Sequence, residues 1–245
     1  MSVASGSAEG ASRRERQREQ LLRDARAAAR QITASEGVEG LTLAAVARRV
    51  GVSSPALYRY FDGRQGLVHA LYEDLTAELI GAVREAARRQ DEDDISAQLD
   101  AATRAVLEWS LANRAEFGLL MGATYATAAA SQTELRHVIS RELGGVFGEL
   151  FLRLLRTKGL EYPPDDRIPP ALRRQLATYR EILQPELPLG VVQVMIACWR
   201  QIYGLVSMAV YGHLAFAFDD IEPLFDDMMD SLLALLGLEP SPNRR

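Results

Sequence analysis

Residues 41–67 constrain the fold more than any other stretch of the chain, with the sequence LTLAAVARRVGVSSPALYRYFDGRQGL. Apolar residues at positions 43, 46, 47 and 50 recur with the spacing of a helix face, and Thr42 stands before them as a candidate N-cap. Gly51 indicates a sharp turn, because glycine accepts a positive φ at little cost. Ser54 and Pro55 then predict the start of a second helix, over residues 55–61. Two short helices joined by a tight turn predict a helix-turn-helix.

The second of these helices has an outward face suited to DNA. Leu57 and Phe61 are four residues apart and are predicted to face the core, which leaves Tyr58, Arg59 and Tyr60 outside. A helix held in this way can enter a major groove about 12 Å wide. Arginine and tyrosine can donate hydrogen bonds to phosphates and base edges. An ordinary helical hairpin with surface aromatics is the simpler alternative, but it does not explain this concentration of Tyr and Arg.

The order of Gly, Ser, Leu-Tyr, aromatic and Leu in this stretch resembles the N-terminal DNA-binding domain of the TetR family of bacterial transcription regulators. The resemblance covers about residues 18–72. It implies a homodimer that binds a near-palindromic operator through two such units, and a larger helical domain that binds a small effector. At position 64 the family often has a phosphate-contacting lysine, and here Arg64 takes its place. The candidate DNA-binding residues are Thr42, Ser53, Ser54, Pro55, Ala56, Tyr58, Arg59, Tyr60 and Arg64.

Charge is distributed unevenly along the chain. Residues 1–66 carry 11 Arg against 7 Asp and Glu, a net charge of +4, whereas residues 67–245 carry −9, and together they give −5. We call residues 1–66 the head and residues 67–245 the body. A basic head joined to an acidic body directs the head toward polyanions. Lys158 is the single lysine. Residues 13–18 hold four arginines, which could be a solvated helix start or an arm that touches phosphates; the solvated start is favoured.

The remaining composition points to a cytoplasmic protein. The one cysteine, Cys198, cannot form an internal disulfide, which fits a reducing compartment. Polar residues interrupt the most apolar stretch, residues 191–218, so no membrane span is predicted. The three histidines lack metal-ligand spacing, and the usual catalytic motifs are missing, so neither a metal, a cofactor nor an enzyme is expected.

Helical periodicity and the lack of alternating stretches predict an all-α fold with two domains. The expected parts are a disordered arm (1–17), a three-helix helix-turn-helix domain (18–66), a larger helical bundle domain for ligand binding and dimerisation (67–240) and a disordered tail (241–245). A helix of about 25 residues from Arg64 to Gln90 is predicted to link head and body and to transmit an effector signal between them.

Two residue sets in the body are candidates for function, although aromatic and Met residues at helical spacing are more often plain core. A mostly apolar effector site is predicted from Trp109, Phe117, Met121, Tyr125, Tyr179, Trp199 and Tyr203. Pairing of the last two helices with their symmetry copies is predicted from Ile202, Val206, Val210, Leu224, Met228 and Leu232. Residues 198–214 also resemble one C-terminal subgroup of the TetR family, named for its Trp, His and Gly.

One alternative of another class remains open. The chain could be a helical small-molecule-binding or protein-interaction module whose DNA head is vestigial. The intact Tyr-Arg-Tyr face at 58–60 and the +4 head favour the regulator. Retention on heparin or promoter DNA at low against high salt separates the two.

Overall fold

The computed structural model describes residues 5–122 and 135–242, with side chains for residues 13–122 and 138–242. No β-strand occurs in these ranges, and the predicted all-α class is confirmed. The helices are α1 (Ser5–Glu36), α2 (Leu43–Val50), α3 (Ser54–Leu57), α4 (Gly63–Arg88), α5 (Ile95–Ala112), α6 (Arg114–Leu120), α7 (Leu135–Thr157), α8 (Pro170–Leu183), α9 (Leu189–Val210) and α10 (Glu222–Leu235).

The described chain divides into two compact units. The first contains residues 5–75 and 118–122, and the second contains residues 76–117 and 135–242. The division falls inside α4, so this one helix supplies residues to both units.

Helix α1 packs on α2 to form the centre of the first unit. Ala25 and Ala29 are fully buried on α1, and Val46 and Ala47 are buried on α2. Small side chains at such a crossing let two helix backbones approach closely, whereas longer ones would hold them apart. Helix α1 therefore supports the helix-turn-helix from behind.

Helix α1 begins much earlier than the sequence predicts. Residues 1–17 were expected to form a disordered arm, whereas the helix already starts at Ser5. Residues 5–36 contain no proline, and from Ala25 onward α1 buries one face in the unit. A helix that is anchored at one end extends at little further cost, since each added residue gains one hydrogen bond. The polar composition of the arm concealed this extension.

In the second unit, α9 packs against α5 and α8, and α7 packs against α5 and α8. An ion-pair cluster joins α5 to α10: Arg104 contacts Glu222, Asp226 (2.7 Å) and Asp100 (3.6 Å). Its Cζ atom also lies 4.5 Å from the ring centroid of the buried Phe225. Burial lowers the pKa of Arg104, but the Asp226 hydrogen bond and the nearby carboxylates outweigh it, so the pKa is raised. This cluster fixes α10 in place.

The chain beyond α10 returns to the start of α5. Ser241 was expected to begin a disordered tail, but its side chain is buried and its hydroxyl hydrogen-bonds to Oδ2 of Asp94 at 2.7 Å. Asp94 is also the N-cap of α5, where its Oδ1 accepts from the Ala97 N–H at 2.9 Å. The carboxylate thus serves two partners far apart in sequence. Residues 243–245 of the predicted tail lie outside the described residues.

Helix α9 is the one described helix whose length and composition would allow it to cross a membrane. Its most apolar window has a mean hydropathy of 1.4, and 56% of that window is buried inside the protein. Burial of this kind is what a core helix of a helical bundle requires.

Candidate nucleic-acid interface

Helix α2 and the turn after it are held by the residues that the sequence indicates. Oγ1 of Thr42 accepts a hydrogen bond from the Ala45 N–H at 3.1 Å and caps the helix. Gly51 ends it with φ 74° and ψ 30°, a left-handed conformation that any side chain would strain. The Val52 N–H then returns to the carbonyl oxygen of Ala47 at 3.0 Å. The turn that sets the direction of α3 is therefore fixed by Gly51 and by the Val52 hydrogen bond.

The DNA-facing segment is shorter as a helix than predicted. Residues 55–61 were expected to be helical, but α3 ends at Leu57, and a turn carries residues 58–60. The N-cap is Ser53 rather than the predicted Ser54, and its side chain makes no capping bond. The Tyr60 N–H bonds the carbonyl oxygen of Leu57 three residues earlier, the tighter pattern that often ends short helices. Buried Leu57 and Phe61 hold both ends of the turn, as predicted.

All nine candidate DNA-binding residues keep solvent access within the first unit. Tyr58 has 63% of its surface exposed, although large aromatic side chains are usually covered. Three of the nine are half-buried, namely Ser54, Ala56 and Tyr60, and the other six are exposed, namely Thr42, Ser53, Pro55, Tyr58, Arg59 and Arg64. We call residues 53–60 the recognition segment.

Arg64 makes contacts within the protein that its sequence position does not reveal. Its Nε donates to the carbonyl oxygen of Leu41 at 3.0 Å, and Nη2 donates to that of Val38 at 2.8 Å. Nη2 also lies 3.4 Å from Oε2 of Glu39. The first turn of α4 is thereby tied to the loop that precedes the Thr42 cap. This geometry gives Arg64 a positioning role within the unit, and the phosphate contact that the resemblance implies stays a prediction.

A second arginine lies beside the recognition segment. The Cζ atom of Arg18, on α1, is 5.7 Å from the centroid of the Tyr60 ring, within the range of a cation–π contact. In the sequence Arg18 stands only in a run of charge, because nothing in the local pattern connects residues 42 positions apart.

Among the candidate effector residues, three lie together in the second unit. The ring centroids of Phe117 and Tyr203 are 6.3 Å apart, and those of Trp199 and Tyr203 are 5.9 Å apart. Two further members of this aromatic cluster were not predicted from the sequence, namely Tyr211 and His213. Tyr211 lies eight residues after Tyr203, a helical spacing that could have revealed it.

The remaining effector candidates are Trp109, Tyr179, Met121 and Tyr125. Trp109 is buried, and its Nε1 donates to Oε1 of Glu78 at 2.9 Å, which makes it a satisfied core side chain. Tyr179 is half-buried on α8, and burial raises the pKa of its phenol. Met121 is grouped with the first unit, and Tyr125 lies outside the described residues.

Two family models match this chain. The model for "Bacterial regulatory proteins, tetR family" matches residues 26–71, and the model for "Tetracyclin repressor-like, C-terminal domain" matches residues 99–232. The second match alone covers more than half of the 245 residues. The chain belongs to the TetR family. It is therefore a transcriptional regulator with a helix-turn-helix DNA-binding domain and a ligand-binding C-terminal part.

The chain is similar to transcriptional regulators in sequence and to several solved structures in fold. HTH-type transcriptional regulator Rv1816 of Mycobacterium tuberculosis and Mb1846 of Mycobacterium bovis are each 28% identical over 202 residues, which cover 82% of this chain and 86% of the relative. The solved structure of SCO4313 gives a TM-score of 0.69 at 24% identity over 90% of this chain and 98% of that one. The structure of RolR with resorcinol gives a TM-score of 0.55 at 17% identity, over 92% of this chain and 91% of that one.

The predicted dimer residues of this TetR-family chain occupy its own core. Ile202, Val206, Val210, Met228 and Leu232 are all buried within the single chain, and Leu224 is half-buried. Apolar side chains are still exposed nearby, namely Met208 on α9, Leu235 on α10 and Phe216 between them. A partner chain could contact this second set without any rearrangement, whereas five of the six predicted residues have little surface left to offer, and their place in a dimer stays a prediction.

Proposed function

We propose that the chain is a cytoplasmic repressor that binds a palindromic operator as a homodimer and is released by a small, mostly apolar effector. In this proposal the DNA-binding domain comprises residues 18–66 and the effector and dimer domain comprises residues 67–240. The observation that carries the proposal is the exposed pair Tyr58 and Arg59, held outward by buried Leu57 and Phe61. The contacts needed for DNA are thus supplied by side chains that the core does not use.

Within the recognition segment the roles follow from chemistry. Arg59 and Tyr60 read base edges, and Tyr58, Ser54 and Thr42 hold phosphates. Half-buried Ala56 offers no polar group, so part of the sequence preference comes from the shape of the DNA. Because the phenol of Tyr58 is exposed, its hydroxyl is free to donate a hydrogen bond to a phosphate oxygen.

The test of DNA binding is an electrophoretic shift on a duplex that the parent protein selects from a random-sequence library. Arg59→Ala is expected to weaken binding by about 1–3 kcal/mol and to relax the preference at one base position. Arg174→Ala removes the same charge from an exposed position on α8 and serves as the matched control. Equal binding by the parent and Arg59→Ala would remove this role, and failure to select any sequence would favour the vestigial-head alternative.

The proposed effector site is the aromatic cluster around Tyr203. Phe117 and Trp199 lie within stacking range of its ring, and an aromatic wall of this kind binds apolar, ring-containing molecules well. RolR, which shares the fold, was solved with resorcinol, so small phenols are reasonable probes. In the Trp109→Phe variant, Trp199 becomes the one indole. Its fluorescence should change on titration with a binding phenol, whereas that of Trp199→Phe should not.

The proposed dimer uses the exposed apolar side chains of the last two helices. Leu235 is 47% exposed and Met208 36% exposed, so burial against a second copy would remove apolar surface from water. Leu235→Arg is expected to raise the monomer fraction in sedimentation equilibrium. Tyr162→Arg alters an exposed side chain of the same unit, at 37%, and should leave the assembly unchanged.

Release by effector is proposed to act through α4. Two heads that engage successive major grooves must keep a spacing of about 34 Å. A shift of α4 that changes this spacing would prevent both heads from binding together and would lower operator affinity. Operator binding by the parent should therefore weaken when a phenol that alters Trp199 fluorescence is added.

A further inference from the structure

Helix α1 carries two turns of exposed, basic residues that the hydrophobic core of the first unit does not need. Its buried side chains begin at Ala25 and continue to Thr33, whereas residues 13–20 are all exposed. These exposed turns contain Arg13, Arg14, Arg16 and Arg18. Burial therefore does not explain why an ordered helix presents four guanidinium groups here.

One of these arginines connects the basic turns to the recognition segment. Arg18 lies over the ring of Tyr60, with 5.7 Å between its Cζ atom and the ring centroid. Tyr60 directly follows the exposed Tyr58 and Arg59. The basic end of α1 and the recognition segment therefore form one continuous surface of the first unit.

Helix geometry then separates the arginines into two faces. Successive residues of an α-helix are about 100° apart, so residues four apart lie on one side, about 6 Å along the axis. Arg14 therefore shares a side with Arg18 and extends one turn further from the core. Arg13 and Arg16 lie about 120° and 180° around the helix from the middle of that side.

We propose that Arg14 and Arg18 bind backbone phosphates of the operator next to the groove that the recognition segment enters. We call this pair the α1 basic face. The inference rests on the proposed function, to which it adds a second contact. Arginine suits this task because its planar guanidinium can make two hydrogen bonds to one phosphate and keeps its charge at any physiological pH. The contact strengthens binding to any sequence, since phosphates carry no base identity.

The test compares two double variants that lose the same charge. Arg14→Gln with Arg18→Gln removes the α1 basic face, and Arg13→Gln with Arg16→Gln removes two exposed arginines from the other side of the same helix. All four positions are solvent-exposed, so the circular dichroism spectrum and thermal midpoint should match those of the parent. The probe is the duplex selected by the parent protein, and its Kd is measured from 50 to 200 mM salt.

Each lost phosphate contact lowers the slope of log K against log salt by about 0.9. The variant that lacks the α1 basic face should therefore have a slope that is about 1.8 smaller in magnitude than that of the parent. As a result, the ratio of its Kd to the parental Kd should fall about twelvefold between 50 and 200 mM salt. The control variant should keep the parental slope. Equal slopes for the two variants, whether both fall or neither does, would overturn the inference.

Failure of the proposed function gives a different result. In that case the parent selects no sequence, or Arg59→Ala binds as the parent does, and both proposals fall. If Arg59→Ala weakens binding while the two double variants behave alike, the proposed function stands and only the α1 contact is refuted.

Discussion

Replacement of Arg64 by alanine tests whether this side chain positions the DNA-binding unit or touches the DNA. Its guanidinium makes two hydrogen bonds to main-chain carbonyls, at 3.0 Å to Leu41 and 2.8 Å to Val38. A hydrogen bond from a charged donor contributes about 1.5–3 kcal/mol when it is shielded from water. The Arg64 side chain is 43% exposed, so we take about 1 kcal/mol for each bond, and the pair with 85% exposed Glu39 adds little. Arg64→Ala should cost about 2 kcal/mol locally.

Hydrogen exchange can measure this loss where it occurs. The Leu41 N–H is bonded to the carbonyl oxygen of Val38, and the Ala45 N–H is bonded to Thr42, so both report on the loop that Arg64 holds. A loss of about 2 kcal/mol corresponds to about thirtyfold faster exchange of these amides. Amides of α9, in the second unit, should be unaffected and provide the internal control.

Arg64→Lys separates the two possible roles. Lysine keeps the charge that a phosphate contact needs, but its single ammonium cannot reproduce the planar two-way bonding to Leu41 and Val38. Positioning predicts that Arg64→Lys exchanges nearly as fast as Arg64→Ala. The reasoning is refuted if Arg64→Ala leaves amide exchange unchanged and lowers the salt slope of operator binding by about 0.9, while Arg64→Lys binds the operator as tightly as the parent does.

Three further predictions concern the second unit. Gly190→Ala should destabilise it by about 1–3 kcal/mol in urea unfolding, because the added Cβ would lie 2.1 Å from the carbonyl oxygen of Pro163. Gly204→Ala is the control and should not destabilise it, because no atom of a residue packed against it lies within 4 Å of the Cβ added there. Burial raises the pKa of Cys198 to about 11, so a thiol reagent at pH 8 should react only after unfolding. The hydrogen bond from the Ala97 N–H lowers the pKa of Asp94. The stabilisation of the folded state by this carboxylate is therefore present above about pH 4 and is lost as pH falls through the folded-state pKa. Between pH 5 and 3 the thermal midpoint should fall more steeply in the parent than in Asp94→Asn.

Local patterns in the sequence were enough to predict the DNA-binding unit. The Thr42 cap, the Gly51 turn and the inward-facing Leu57 each depend on neighbours within a few residues, and such short-range rules are visible in a sequence. The family and the all-α class followed from the same stretch and from helical periodicity.

Contacts between distant residues could not be predicted in this way. Arg64 bonds a carbonyl 23 residues earlier and Ser241 bonds Asp94 147 residues earlier, and no periodic signal connects such pairs. The dimer candidates show a second limit: the apolar face of Val206 and Met228 has the same sequence signature whether it packs inside one chain or between two. Burial within the single chain shows that both side chains are already covered there.

The single lysine of the chain has a practical consequence. Lys158 is exposed just after α7, in the second unit, and every other basic side chain outside the histidines is an arginine. A dye or biotin aimed at side-chain amines would therefore have one side-chain target, in the second unit, and would leave the arginines of the first unit unmodified. Fluorescence anisotropy of such a conjugate could follow complex formation in solution without altering the surface under study.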